Sequence, residues 1–107
     1  MKTAITSTGQ SADYMLDNHF ARCAYFIIYD DENGGLEIIP NPNLKKLENA
    51  GPASVDLLLS KGVKKVVSGE FGSKIKDLFD RYKIQLVMMR KPSRIAEIIS
   101  LLEGNRH

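Results

Sequence analysis

Residues 23–39 decide the fold: Cys23-Ala24-Tyr25-Phe26-Ile27-Ile28-Tyr29-Asp30-Asp31-Glu32-Asn33-Gly34-Gly35-Leu36-Glu37-Ile38-Ile39. The first seven are rich in aromatic and β-branched residues, which suit a strand. Residues 30–35 then form a hairpin turn, in which Asn33-Gly34 supplies the positive φ angles that tight turns need. A returning strand over 36–39 is stopped by Pro40 and Pro42. On the amino-terminal side, residues 3–7 read as a short strand, joined to this hairpin by a long polar connection over 9–22. On the other side the rhythm changes to a helical period. Pro52 opens a helix at its first position, with Val55, Leu58 and Leu59 on its stripe and Gly62 just past its end. Residues 63–68 are a strand. A second helix carries Ile75, Leu78, Phe79 and Tyr82 on one face, and residues 84–88 make the next strand. Pro92-Ser93 opens a last helix, with Ile95, Ile98, Ile99 and Leu102 inward and Gly104 beyond its end.

The order is therefore β-β-β-α-β-α-β-α, an α/β fold with one mixed sheet covered by helices. Strands 3–7, 63–68 and 84–88 run parallel and strand 23–29 runs against them. Loops 8–22, 40–51, 69–73 and 89–92 then leave from one edge, the carboxyl edge where open α/β sheets bind ligands. At 107 residues and 43% hydrophobic, the chain 1–107 is one domain. That length buries roughly 60–70% of the unfolded surface, enough for a core without staples. A single cysteine leaves no internal disulfide and fits a reducing cytoplasm. No apolar run is long enough to cross a bilayer. The net charge of +2 is uneven: residues 1–50 carry four Lys/Arg against seven Asp/Glu, and residues 51–107 carry eleven against six. The surplus biases one face toward anions, or simply solvates the carboxy-terminal helices. Without an arginine-rich run or a stacking platform, nucleic acid is not an expected partner; neither is a membrane.

Within the long connection, Asp17-Asn18-His19-Phe20-Ala21-Arg22-Cys23 gathers a carboxylate, an imidazole, a guanidinium and the only thiol. Imidazole and thiolate are ligands for intermediate and soft metals, and an adjacent arginine favours an anion. The segment reads as a place to hold a metal or an anionic metal cluster. His19 is the leading candidate ligand. Cys23 is either a second, thiolate ligand or a small buried residue at a strand start. Arg22 either holds an anion, orients Asp17, or makes a surface ion pair. Asp17 either fixes the His19 tautomer or caps a turn. Gly69 and Gly72 either let backbone approach an anion at the start of the second helix or serve a tight turn. Phe20, Tyr25 and Phe26 are core candidates. Nucleotide-phosphate glycine motifs, C-x-x-C and H-E-x-x-H are absent, and no carboxylates converge from the strands for a two-metal nuclease.

These pieces together resemble the dinitrogenase iron–molybdenum cofactor biosynthesis family, which includes NifX-like and NafY-like proteins and the tail domain of NifB. The resemblance covers nearly the whole chain. It rests on the opening strand with Ser7, on Asp17-x-His19-Phe20-x-Arg22-Cys23-x-x-Phe26, on Asn41-Pro42-Asn43, on Ala50-Gly51 and on Gly69-x-x-Gly72. It implies a ribonuclease-H-like three-layer fold, with a five-stranded mixed sheet and three helices. It also implies binding or carrying an iron–molybdenum or related metal–sulfur cluster, with the histidine of the motif, here His19, as cluster ligand. Many small stand-alone members carry arginine at that position. Ala21 stands where the family usually has glycine, and Leu44-Lys45-Lys46-Leu47-Glu48 stands where many members are glycine-rich. The leading expectation is a non-enzymatic cluster-binding or carrier protein working with cluster-donor or acceptor proteins. One alternative is a metal-free protein-interaction module using the same sheet edge. The other is a small thiol-dependent enzyme built on Cys23.

Overall fold

The computed structural model describes residues 1–104; the last three residues of the expected domain 1–107 lie outside the described residues. The elements follow in the expected order: β1 (Lys2–Ser7), β2 (Tyr25–Asp30), β3 (Leu36–Pro40), α1 (Ala50–Ser60), β4 (Val63–Ser68), α2 (Ser73–Tyr82), β5 (Gln85–Met88) and α3 (Ile95–Gly104). They build one sheet in the order β3-β2-β1-β4-β5. β1 is antiparallel to β2 and parallel to β4, and β4 is parallel to β5. This is the five-stranded mixed sheet of the ribonuclease-H-like architecture. The carboxyl ends of β1, β3, β4 and β5 share one edge.

Alternation along the central strands sends side chains to two different cores. Ala4, Phe26, Ile28 and Val66 join Val55 and Leu58 of α1 and Phe79 of α2 on one face. Ile5, Ile27 and Val67 meet Ile95 and Ile98 of α3 on the other. The sheet is thus the middle of three layers. The first core ends, toward the carboxyl edge, in an aromatic cluster. Phe20 lies 5.2 Å from Phe79, 5.7 Å from Phe71 and 6.0 Å from Phe26, centroid to centroid. Edge-to-face and tilted geometries of this kind add to the burial of each ring.

Several local expectations change. α1 starts at Ala50, two residues before Pro52; the ring sits inside the first turn, where a missing N–H costs nothing. In the hairpin only Gly34, at φ 74°, takes a positive φ. The Asp30 amide donates to the Gly35 carbonyl and the Gly34 amide to the Asp30 carbonyl, so the turn is a four-residue loop in which Asn33 keeps ordinary backbone. Gly104 is the last residue of α3 rather than the one beyond it. Tyr82 and Tyr25 do not join the core: Tyr82 is exposed at the end of α2. Tyr25 is half-buried, its hydroxyl 3.5 Å from Gln10 Oε1.

The connection over 8–16 is ordered by backbone bonds. The Thr8 amide donates to the Met15 carbonyl, and the Leu16 amide donates to the carbonyl of Ser93, just before α3. The first amides of α3, Ile95 and Ala96, donate to the carbonyls of Tyr14 and Ala12. These carbonyls do the work of a helix cap, satisfying donors that have no partner inside the helix. Because Phe79 is fully buried and touches two other rings, Phe79→Ala is expected to cost about 3–5 kcal/mol. Urea unfolding followed by circular dichroism measures this.

Candidate functional site

The Asp17–Cys23 segment is a turn whose side chains alternate between core and solvent. Phe20 and Cys23 are buried, while His19 and Arg22 are exposed. The Phe20 ring in the aromatic cluster therefore anchors the turn and leaves its neighbour His19 outside, with 73% of its side chain accessible. The turn is pinned to the sheet through one atom, the backbone carbonyl of Asp17. Thr6 Oγ1 lies 2.8 Å from it, Ser68 Oγ 3.3 Å and the Gly69 amide 3.3 Å, with the two hydroxyls 2.8 Å apart. The Asp17 amide in turn donates to the Thr6 carbonyl at 2.9 Å. Residues 19 and 70 then pair like a short parallel bridge, so the turn runs alongside the loop after β4.

Gly69 is required by this close approach. A Cβ there would stand 2.7 Å from Asn18 Cα and 2.4 Å from Asn18 Oδ1. Its amide is already given to Asp17, so Gly69 serves loop packing and not ligand contact. Gly72 is different: a Cβ there meets nothing within 4 Å, and it is the N-cap of α2 with no side-chain cap bond. Of the two glycines, Gly72 is the one whose backbone stands open beside the cleft.

A second pinning point comes from the Asn41-Pro42-Asn43 turn. Asn41 Nδ2 donates to the carbonyls of Ala21 and Cys23, at 2.9 and 2.8 Å, and its Oδ1 accepts from the Asn43 amide. Asn43 Nδ2 reaches Ser54 Oγ at 3.3 Å. These asparagines are buried behind the site and hold it, rather than lining it. Asn41 belongs to the Asn41-Pro42-Asn43 motif, but its role as a tie behind the site, and the roles of Thr6 and Ser68, do not stand out in the sequence. The only signal is polar residues at the ends of strands that are otherwise apolar.

Together these ties shape a cleft of about 570 Å³. Its walls are residues 18–22, the start of α1 (49–52) and the loop into α2 (70–72, 74 and 75). Both helices point their amino ends at it, and neither N-cap, Asn49 nor Gly72, makes a side-chain cap bond. Helix amino ends carry partial positive charge and open N–H donors. Arg22 and Lys74 add full charges, and Glu70 supplies the one carboxylate of the lining. His19 is oriented by Asp17: Asp17 Oδ1 accepts from the His19 amide at 2.9 Å and lies 3.4 Å from Nδ1. With the proton on Nδ1, Nε2 keeps a free lone pair at the surface. The Asp17 oxygen that caps the turn is also the one placed to accept from Nδ1 when that tautomer is present.

Arg22 does not orient Asp17. Its Nη1 donates to the backbone carbonyls of Leu44 and Lys46 in the loop after β3. Cys23 is absent from the cleft wall. It is fully buried, its Sγ 3.4 Å from the Phe20 carbonyl. Burial, helped by the Asp17 carboxylate, pushes its thiol up to about 12. The thiol is covered by the turn and packs behind the cleft rather than facing it. Among the described residues no three His, Cys, Asp or Glu side chains converge to hold a metal ion.

An α/β domain with an anion-favouring cleft at its carboxyl edge and one oriented imidazole is thus defined. The chain belongs to the dinitrogenase iron–molybdenum cofactor family, whose family model matches residues 1–105. It is similar to an uncharacterised protein of Methanocaldococcus jannaschii, 33% identical over 93 residues, covering 83% of this chain and 78% of that one. The solution structure of a Thermotoga protein described as NifB is 28% identical with a TM-score of 0.82, covering 98% of this chain and 89% of the other. The apo form of the orange protein from Desulfovibrio gigas shares the fold, with a TM-score of 0.88 at 21% identity, over 96% and 88% of the two chains. No helix among the described residues is long and apolar enough to cross a membrane.

Two sets of experiments check this geometry. Gly69→Ala is expected to destabilise by about 1–3 kcal/mol, as overpacking does. Gly72→Ala should shift stability by no more than ~0.5 kcal/mol; denaturant titration separates the two. For Cys23, alkylation of the native protein at pH 8 is expected to be slower than in denaturant by about a thousandfold, following the loss of thiolate. The folded thiol binds its proton more tightly than the ordinary value of 9.0. Its contribution to stability is therefore full below about pH 9 and falls as pH rises toward about 12. In Cys23→Ala that component of the alkaline decline disappears.

Proposed function

We propose that this protein binds a preassembled iron–molybdenum or related metal–sulfur cluster in the cleft and carries it without transforming it. His19 is the direct ligand through Nε2. The observation that carries this reading is the exposed imidazole itself, held by Asp17 beside two helix amino ends that have no side-chain caps. A bare metal ion needs three or four protein donors in a fixed geometry, and the cleft offers two candidates, His19 and Glu70. A cluster brings its own sulfide ligands and needs little more than one metal–protein bond plus neutralisation of its negative charge. Arg22, Lys74, the 72–74 backbone and the amino end of α1 suit that second need. The apolar wall of Phe71, Ile75 and Pro52 suits the polarisable sulfides. Cys23 and Gly69 support the fold of the site and make no bond to the cluster. A carrier role also agrees with the lack, among the described residues, of a nucleophile beside a base, which a hydrolytic or transfer enzyme requires. Cluster-donor and acceptor proteins are the natural partners of such a carrier.

Anaerobic titration with an iron–molybdenum or a molybdenum–copper sulfide cluster, followed by absorption spectroscopy, is the direct test. Wild-type protein is expected to take up cluster stoichiometrically, and His19→Ala to bind at least ~10-fold more weakly, since even indirect partners of metal ligands contribute that much. Equal uptake by both proteins removes His19 from the ligand set. Colourless, metal-free protein that co-purifies with another chain and takes up no cluster supports the interaction-module alternative instead.

A further inference from the structure

The loop between β3 and α1 is anchored at its β3 end, and over 44–48 its own bonds are two turns, the Leu44 and Lys46 amides donating to the Asn41 and Asn43 carbonyls. Asn41 and Asn43 are buried and bonded at one end, and Asn49 caps α1 at the other in left-handed backbone, φ 60°. Over residues 44–48 the only hydrogen bonds from outside the loop, among the described residues, come from Arg22. This stretch displays Lys45, Lys46 and Leu47, the last of them 93% exposed. Both bonds from Arg22 leave from Nη1. A guanidinium has five N–H donors in a planar fork, and the same side chain lines the cleft. Nη2 and Nε are therefore the donors left for an anion.

We infer that Arg22 joins an anion bound in the cleft to the 44–48 loop, so that filling the cleft further fixes a loop that, beyond its own turn bonds to Asn41 and Asn43, is tied to the site by one side chain. The inference rests on the proposed anionic cargo and adds to it a surface that differs between loaded and empty protein. Bonding an anion through Nη2 and Nε restrains the guanidinium, and with it the Nη1 bonds to the Leu44 and Lys46 carbonyls. Charge-assisted bonds of this type are shorter and stronger than neutral ones. Lys45, Lys46 and Leu47 are then presented in one arrangement when cargo is aboard and in several when it is not. Lysine cannot substitute: its single ammonium keeps the charge but loses the fork that reaches both sides.

Hydrogen exchange of the 44–48 amides, with and without tetrathiomolybdate as the molybdenum–sulfur anion, tests this. In wild type, loading is expected to slow exchange of these amides by about tenfold, equivalent to ~1.4 kcal/mol. In Arg22→Lys, loading is expected to leave their exchange unchanged. Binding with no slowing in wild type, or equal slowing in Arg22→Lys, overturns the coupling while leaving the cargo site standing. No binding of the anion by wild type overturns both. If Arg22→Lys takes up none, the empty proteins still decide. Their 44–48 amides must exchange faster in the variant than in wild type, and equal rates overturn the inference.

Discussion

The backbone carbonyl of Asp17 is the point on which the site hangs. It lies within hydrogen-bonding reach of the Thr6 and Ser68 hydroxyls, from the ends of two adjacent parallel strands, and of the Gly69 amide. Both hydroxyls are completely buried, and a buried hydroxyl without a partner costs about as much as a lost hydrogen bond. Thr6, Ser68 and Asp17 therefore satisfy one another. Fixing Asp17 fixes its carboxylate, the carboxylate orients His19, and the pairing of residues 19 and 70 sets the imidazole between the amino ends of α1 and α2.

The rest of the turn divides into anchors and presented groups. Phe20 and Cys23 enter the core one helical turn's spacing apart, and His19 and Arg22 leave it with the same spacing. The apolar anchors set the position of the polar groups; Phe20 also forms part of the cleft wall, while Cys23 lies behind it. This separation explains how the most reactive side chain in the sequence, the only thiol, ends as a filler. The Asn41 amide ties down the same turn from behind at the Ala21 and Cys23 carbonyls. The turn is held from three sides, by β1, β4 and the β3–α1 loop, and its open side is the cleft.

Much of the fold was legible because it depends on local periodicity. The aromatic and β-branched run at 25–30, the stripe of Val55 and Leu58, and the Ile95–Ile98 pair each declare an element and its buried face. The edge that carries the site follows from element order alone. What escaped depends on contacts between segments distant in sequence. Whether Cys23 is ligand or core is decided by Phe20 and Asn41, whether Gly69 contacts a ligand by Asn18, and where Arg22 points by the Leu44 and Lys46 carbonyls. None of these partners is visible as a spacing. The 8–16 connection looked like a featureless polar loop because its order is carried by backbone groups, which every residue has. Tyr25 and Tyr82 carry the composition of core residues, but a hydroxyl at the sheet edge and a position at a helix end keep them at the surface.

The neighbouring residues Leu16 and Asp17 are fastened to different layers. Leu16 packs with α3 and gives its amide to Ser93, while Asp17 gives its amide to Thr6 and leads into the opposite core through Phe20. The chain crosses the rim of the sheet in that single step, with no slack. An insertion there would have to break one fastening or the other. The reach from the sheet to the turn that bears the imidazole is therefore set by these two fastenings, and the side chains at 18–22 can change the surface the turn offers without changing that reach.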